Sequence, residues 1–137
     1  MAKRHKNFCL VLMLGFITGV ITLAGADEKV DIKYMEKEIV GKYLADGSGR
    51  SLYAFVKDDK NTSNCLEGCA VNWPPFHVDL SAAGEGLNMT DFAVITRTDG
   101  KQQTTYKGMP LYYFSNDRYP GDTFGEGLGE SWFLIRP

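Results

Sequence analysis

Cys65, Cys69 and His77 have the types and spacing for chemistry at soft donor atoms. Two readings of the cysteines stand side by side. Four residues apart in a glycine-containing loop, they would join in an oxidising compartment as a structural disulfide that closes a small loop. As free thiolates they form, with His77, a donor set suited to Cu(I), as in a periplasmic redox or copper-handling accessory protein. A covalent c-type haem does not fit, because it needs Cys-x-x-Cys-His and here Ala70 follows Cys69.

Asp58 and Asp117 form a second set. Each ends a short aromatic run, and each reads first as a side chain that caps the following turn by accepting from backbone amides. Asp58, Asp59 and Glu67, mirrored by Asp117, Asp122 and Glu126, also carry the oxygens of a hard-cation site, but their spacing matches no calcium loop. The glycine-rich run Gly125–Gly129 does not sit between a strand and a helix, as a phosphate cradle would. An enzyme is the class with least support. No serine or cysteine stands in a nucleophile motif, and no carboxylate pair is singled out by spacing.

These residues sit in a pattern that occurs twice. Gly41, Lys42, Gly49, Leu52, Tyr53, Phe55, Asp58, Glu67, Gly68 and Trp73 recur 59 positions later as Gly100, Lys101, Gly108, Leu111, Tyr112, Phe114, Asp117, Glu126, Gly127 and Trp132. Without a gap, residues 41–78 and 100–137 share these ten identities over 38 pairs, where ordinary residue usage gives roughly two. Two copies of one supersecondary unit, related by a pseudo-twofold, follow. The cysteines belong to the first copy alone; Phe124 and Leu128 stand in their places in the second.

The elements that must position these groups read as β. Ile39–Ala45 and Ser51–Val56 flank the turn Asp46-Gly47-Ser48-Gly49, and Phe92–Arg97 and Gln102–Tyr106 flank Thr98-Asp99-Gly100-Lys101, where Asp-Gly signals a two-residue hairpin turn. Alternation sends Tyr53 and Phe55 to one face of their strand and Leu52 and Ala54 to the other. Trp73-Pro74-Pro75-Phe76 is extended, since proline fixes φ and removes a donor. Glycine and polar residues around Cys65 and Cys69 favour a turn over a helix. No segment after residue 26 holds a 3.6-residue apolar period for 12 residues. The expected fold is therefore mainly β: two hairpin-rich units packed as one small domain, with a core supplied by aromatics, most of them Tyr53, Phe55, Trp73, Tyr112, Phe114 and Trp132.

Residues 1–26 read as a cleaved signal peptide, with a retained membrane anchor as the rival reading: a basic start (Lys3, Arg4, Lys6), an apolar run from Phe8 to Ala24, and small residues through Ala26 at the cleavage site. Residues 27–38 read as a charged lead-in and 39–137 as the domain. The leader contains three of the 15 Lys and Arg and none of the 17 Asp and Glu, so residues 27–137 carry a formal charge of −5. That balance argues against nucleic acid as a partner. The same residues hold seven Tyr, six Phe and two Trp, enough for some aromatics to line an exposed binding face.

Taken together, Tyr53-Ala54-Phe55-Val56-Lys57-Asp58 and Tyr112-Tyr113-Phe114-Ser115-Asn116-Asp117, the Cys-x3-Cys-Ala-x2-Trp-Pro-Pro of Cys65–Pro75, and the Arg-x-Asp-Gly-x2-Gln-x-Thr-Tyr of Arg97–Tyr106 resemble a bacterial family. It is the lipoprotein-like secreted repeat of unknown function, with its Tyr-x-[Phe/Trp/Tyr]-x-x-Asp motif. The resemblance spans about 100 residues and implies export and the repeated fold, but no activity and no catalytic residues. The chain departs from a lipoprotein at Ala26, where the lipidated cysteine would stand, so no stable membrane anchor is expected after cleavage. The reading that results is an exported, periplasmic or extracellular binding or interaction module. It is non-enzymatic, has no expected cofactor, and takes an envelope protein or a small ligand as partner. The alternative is the copper-handling role at Cys65, Cys69 and His77.

Overall fold

Equivalent strands of the two copies make equivalent hairpins. In a computed structural model that describes residues 29–137, β1 (Ile32–Lys37) pairs antiparallel with β2 (Gly41–Asp46), and β4 (Phe92–Thr96) pairs in the same way with β5 (Gln102–Tyr106). The two-residue β6 (Met109–Pro110) continues the second hairpin. The leader and its cleavage site at Ala26 lie outside the described residues.

The charged stretch before Ile39 contains β1, so the repeat begins earlier than its identities suggest. Alternation buries Ile32 completely, while the charged side chains at the end of the strand stay outside. Asp31 anchors the segment that joins the copies. Its carboxylate accepts from the amides of Ser81 and Ala82 and from the Ser81 hydroxyl. Those backbone amides, more than any other group, hold its pKa below the ordinary value.

The copies are offset by one residue in the hairpins. Leu52 N donates to Leu44 O, and Leu111 N donates to Thr104 O, both at 3.0 Å. The β2 strand therefore matches β5 at a shift of 60, whereas the strand that follows keeps the shift of 59. A three-residue turn, Gly47–Gly49, explains the difference, because Lys107-Gly108 does the same work with two residues. Lys107 and Gly108 have φ of 48° and 80°, the double positive φ of a type I′ hairpin turn. The Asp99-Gly100 sequence does not make such a turn. Arg97 N bonds to Lys101 O across three residues and only Gly100 takes a positive φ, while the Asp99 carboxylate is held by the Arg97 guanidinium and the Lys101 amide.

The strand after each hairpin leaves its own copy. Beyond a single bridge from Ala45 to Ser51, β3 (Tyr53–Phe55) pairs with β7 (Trp132–Leu134) from the other copy. The extended Pro74-Pro75 segment takes the mirrored place beside Tyr112 and Tyr113. At the centre, Tyr53 N donates to Tyr112 O (2.9 Å) and Tyr112 N donates to Tyr53 O (3.0 Å). Two equivalent residues exchanging both backbone bonds is the pattern an axis between them requires.

Period-two alternation then builds two apolar clusters. Tyr53, Phe55, Tyr112 and Phe114 face one, with Trp73 and Trp132; Leu52, Ala54, Leu111 and Tyr113 face the other, with Leu44 and Ile135. The first cluster is a palindromic stack of four rings. Phe55 stacks on Trp132 (4.2 Å), Trp132 on Trp73 (3.8 Å, planes 2° apart) and Trp73 on Phe114 (4.4 Å). Tyr53 and Tyr112 meet Trp73 and Trp132 edge-on at 5.4 and 5.1 Å. Offset stacks and T-shaped contacts are the favoured aromatic geometries, each worth about 0.5–1.5 kcal/mol beyond burial.

Candidate functional site: a lysine-rimmed apolar groove

The aspartates ending the aromatic runs serve the opposite copy. Tyr53 Oη donates to Asp117 Oδ2 (2.6 Å), and Tyr112 Oη donates to Asp58 Oδ2 (2.7 Å). The other oxygen of each carboxylate accepts a loop amide, from Asn64 at Asp58 and from Phe124 at Asp117. The turn-capping role is present, but the sequence did not reveal that the tyrosine partner comes from the other copy. Burial raises the pKa of both aspartates, partly offset by these hydrogen bonds. It raises both tyrosines as well, helped by the carboxylate each one faces at Tyr53 and Tyr112.

Arg97 completes the arrangement on one side. Its guanidinium is buried and donates to Ser63 Oγ, Gln103 Oε1, the Cys65 carbonyl and Asp99. Ser63 in turn lies 2.7 Å from the Tyr112 hydroxyl. Lys37 occupies the mirrored place and donates to Gly121 O and Thr123 Oγ1. A cation at the end of the first strand of each copy thus ties down the loop of the other.

Cys65 and Cys69 are joined as a disulfide, with Cα atoms 5.2 Å apart. Cys69 lies in a short helix, α1 (Gly68–Asn72), rather than in the turn expected from its glycine and polar neighbours. The helix forms because Trp73 N bonds back to Cys69 O, which closes one turn and delivers the indole to the ring stack. With the sulfurs bonded to each other, no thiolate pair is presented to a metal in this state. His77 Nε2 lies 3.7 Å from Asp79 Oδ1. The six carboxylates of the hard-cation reading are not brought together. Asp58 and Asp117 are used as described, Asp122 caps Arg118 and Tyr119, and Glu126 pairs with Arg136. Among the described residues no group of three or more His, Cys, Asp or Glu is placed to hold a metal ion.

A groove of 570 Å³ lies between the β3–β7 pair and the Lys107-Gly108 turn. That volume falls within the roughly 300–1,000 Å³ of small-molecule sites. Its apolar lining includes Phe55, Val56, Met109 and Phe133, the last three exposed by 58%, 39% and 40%. Lys60, Lys107 and Arg136 rim it. Gly108 sets the rim's shape, because a Cβ there would meet Lys60 Cγ at 2.8 Å, and its φ of 80° already disfavours a side chain. The Lys60 stem therefore lies across the turn that carries Lys107. Neither lysine has a carboxylate within salt-bridge distance among the described residues, whereas Arg136 is paired with Glu126.

The mirrored surface of the other copy differs. Where the groove has Ala54, the other copy has Tyr113, its ring 4.1 Å from the Arg50 guanidinium and its hydroxyl on Asp46. Where the groove has Met109, Phe133 and Lys107, the other copy has Arg50, Pro74 and Ser48. The result there is a trough of 870 Å³ whose lining includes Lys29, Asp31, Lys33 and Asp46. Of the groove residues the sequence singled out only Phe55, Asp58 and Asp59, as parts of the repeat motif and of a hard-cation set rather than of an apolar site. The signal that could have found the others was a comparison of the two copies at positions where they differ, rather than where they agree.

A family model described as a secreted repeat of unknown function matches residues 37–77 and 93–136, one match for each copy. The chain belongs to that family. The two matched segments cover most of the two structural units and leave out the connection between them. No curated protein and no solved structure matches the chain significantly. Membership of a family of secreted repeats accords with an oxidised Cys65–Cys69 pair. No helix among the described residues is long and apolar enough to cross a membrane.

Proposed function

We propose that this protein is an exported, non-enzymatic binding module of the bacterial envelope, and that its groove receives a small amphipathic ligand. Residues 1–26 serve as its cleaved export signal, and the domain works in the periplasm or outside the cell. The observation that carries the reading is the divergence of the two copies at the groove. Both copies keep the residues the scaffold needs, at Tyr53 and Tyr112, Asp58 and Asp117, and the ring stack. They differ at Ala54, Met109 and Phe133 of the groove lining, where the mirrored surface has Tyr113, Arg50 and Pro74, and a pseudo-twofold scaffold has no need of that difference. Exposed apolar surface beside polar groups marks binding sites more often than structural ones.

The test is a titration with the neutral fluorescent probe N-phenyl-1-naphthylamine. The expected result is saturable binding at one site in the wild-type protein. Ala54→Tyr should abolish it, since that change fills the groove with the side chain the mirrored surface already holds. Absence of saturable binding, or binding untouched by Ala54→Tyr, would overturn the reading.

A further inference from the structure

The charge pattern of the groove goes further than its shape, and it rests on the reading just given. We infer that the ligand is an amphipathic anion, with its apolar body on Phe55, Met109 and Phe133 and its carboxylate, sulfate or phosphate head between Lys60 and Lys107. Three observations combine. Lys60 and Lys107 both line the groove beside the Lys107-Gly108 turn, since the Lys60 stem crosses Gly108 and Asn61 N bonds to Gly108 O at 2.8 Å. Both cations lack a carboxylate partner among the described residues, although residues 27–137 carry a net charge of −5. Finally, of the two carboxylates that line the groove, Asp58 has both oxygens bonded and the exposed Asp59 has one. Asp58 accepts from Asn64 N and Tyr112 Oη, and Asp59 accepts from the Asn64 side-chain amide.

The cations are also particular to this groove. The positions mirroring Lys60 and Lys107 are Tyr119 and Ser48, so the lysines are not part of the repeated scaffold. In an otherwise acidic protein, two unpaired ammonium groups at one end of an apolar cleft attract an anion and repel an amphipathic cation.

Displacement of bound N-phenyl-1-naphthylamine from the purified protein by decanoate, decanol and decylamine tests the inference. At low ionic strength decanoate should compete at about tenfold lower concentration than decanol, equivalent to about 1.4 kcal/mol, and decylamine should compete worst. The advantage of decanoate should shrink to about twofold or less in the Lys60→Gln, Lys107→Gln double variant. It should also shrink in wild-type protein at high salt, where the screening length falls to about 3 Å at 1 M. Because both lysines are on the surface, the double variant should fold and still bind decanol. Equal competition by decanoate and decanol in the wild type would overturn the anion inference and leave the groove reading standing. Failure of all three to displace a saturably bound probe would overturn both.

Discussion

Each copy's tyrosine donates to the other copy's aspartate, so four side chains lock the halves together from both ends of the ring stack. A buried acceptor or donor left without its partner costs about 1–3 kcal/mol, which makes these pairs costly to break singly. The carboxylates also divide by the direction of their pKa. Asp46 is partly buried, which raises its pKa. The hydroxyls of Ser48 and Tyr113 and the amides of Ser48 and Arg50 more than offset that, so its net shift is downward. It therefore contributes stability at pH values above its unfolded value of 3.8, and this is lost as the pH falls through the lower folded value. Asp117 is raised by burial, so its contribution is present below 3.8 and is lost as the pH rises through the raised value. Urea unfolding at pH 7 and pH 3 should separate them. The stability deficit of Asp46→Asn relative to wild type should be largest at pH 7 and shrink at pH 3. For Asp117→Asn the deficit should instead be smaller at pH 7 than at pH 3, because at neutral pH the wild type carries the burden of ionising a buried carboxyl. A deficit for Asp46→Asn that is the same at both pH values would contradict the assigned hydrogen bonds.

Among the elements, the disulfide has no counterpart in the second copy, where a three-residue 3₁₀ turn, Leu128–Glu130, stands in the place of α1. There, Gly125 approaches Trp73 and Tyr53 so closely that a Cβ would sit 2.7 Å from the indole and 2.9 Å from the phenol ring. One copy thus supports the stack with a stapled turn of helix, and the other with a glycine loop pressed against the rings. The disulfide closes a loop of only a few residues, so its entropic effect should be below the ~3 kcal/mol of a 15-residue loop. The double variant Cys65→Ser, Cys69→Ser should remain folded, because Arg97 still holds the Cys65 carbonyl through the backbone. Its melting midpoint should fall by several degrees, at about 4–8 °C per kcal/mol for a domain of this size. Native protein isolated without reductant should show no titratable thiol at these positions. Two reactive thiols there would contradict the structure.

For the whole molecule, the two copies are not separable domains. β3 pairs with β7 across the axis, and the central stack takes two rings from each copy. Unfolding should therefore be a single cooperative transition. Trp132→Ala removes an inner ring of the stack and the edge partner of Tyr112, and should cost about 3–5 kcal/mol. Calorimetry should show one transition at a lower midpoint in that variant. Two separate transitions in the wild type would mean that the halves fold independently.

The sequence by itself determined the duplication, the β character, the alternation of Leu52, Tyr53, Ala54 and Phe55 and the burial of both tryptophans. These are local or periodic properties, set by which residue types alternate, turn or recur along the chain. Tertiary structure decided the rest. That Tyr53 answers Asp117 rather than Asp58 follows from strands that leave their own hairpin after one bridge, and no local pattern carries that information. The one-residue offset is likewise invisible to a gapless comparison, because Gly41 and Lys42 match Gly100 and Lys101 by identity but not by place. The groove needed the fold most of all. Ala54, Lys60, Lys107 and Phe133 are ordinary residues far apart in the chain. Only a β3–β7 pair formed across the axis sets them around one cavity, and only its mirrored counterpart shows what the cavity has gained.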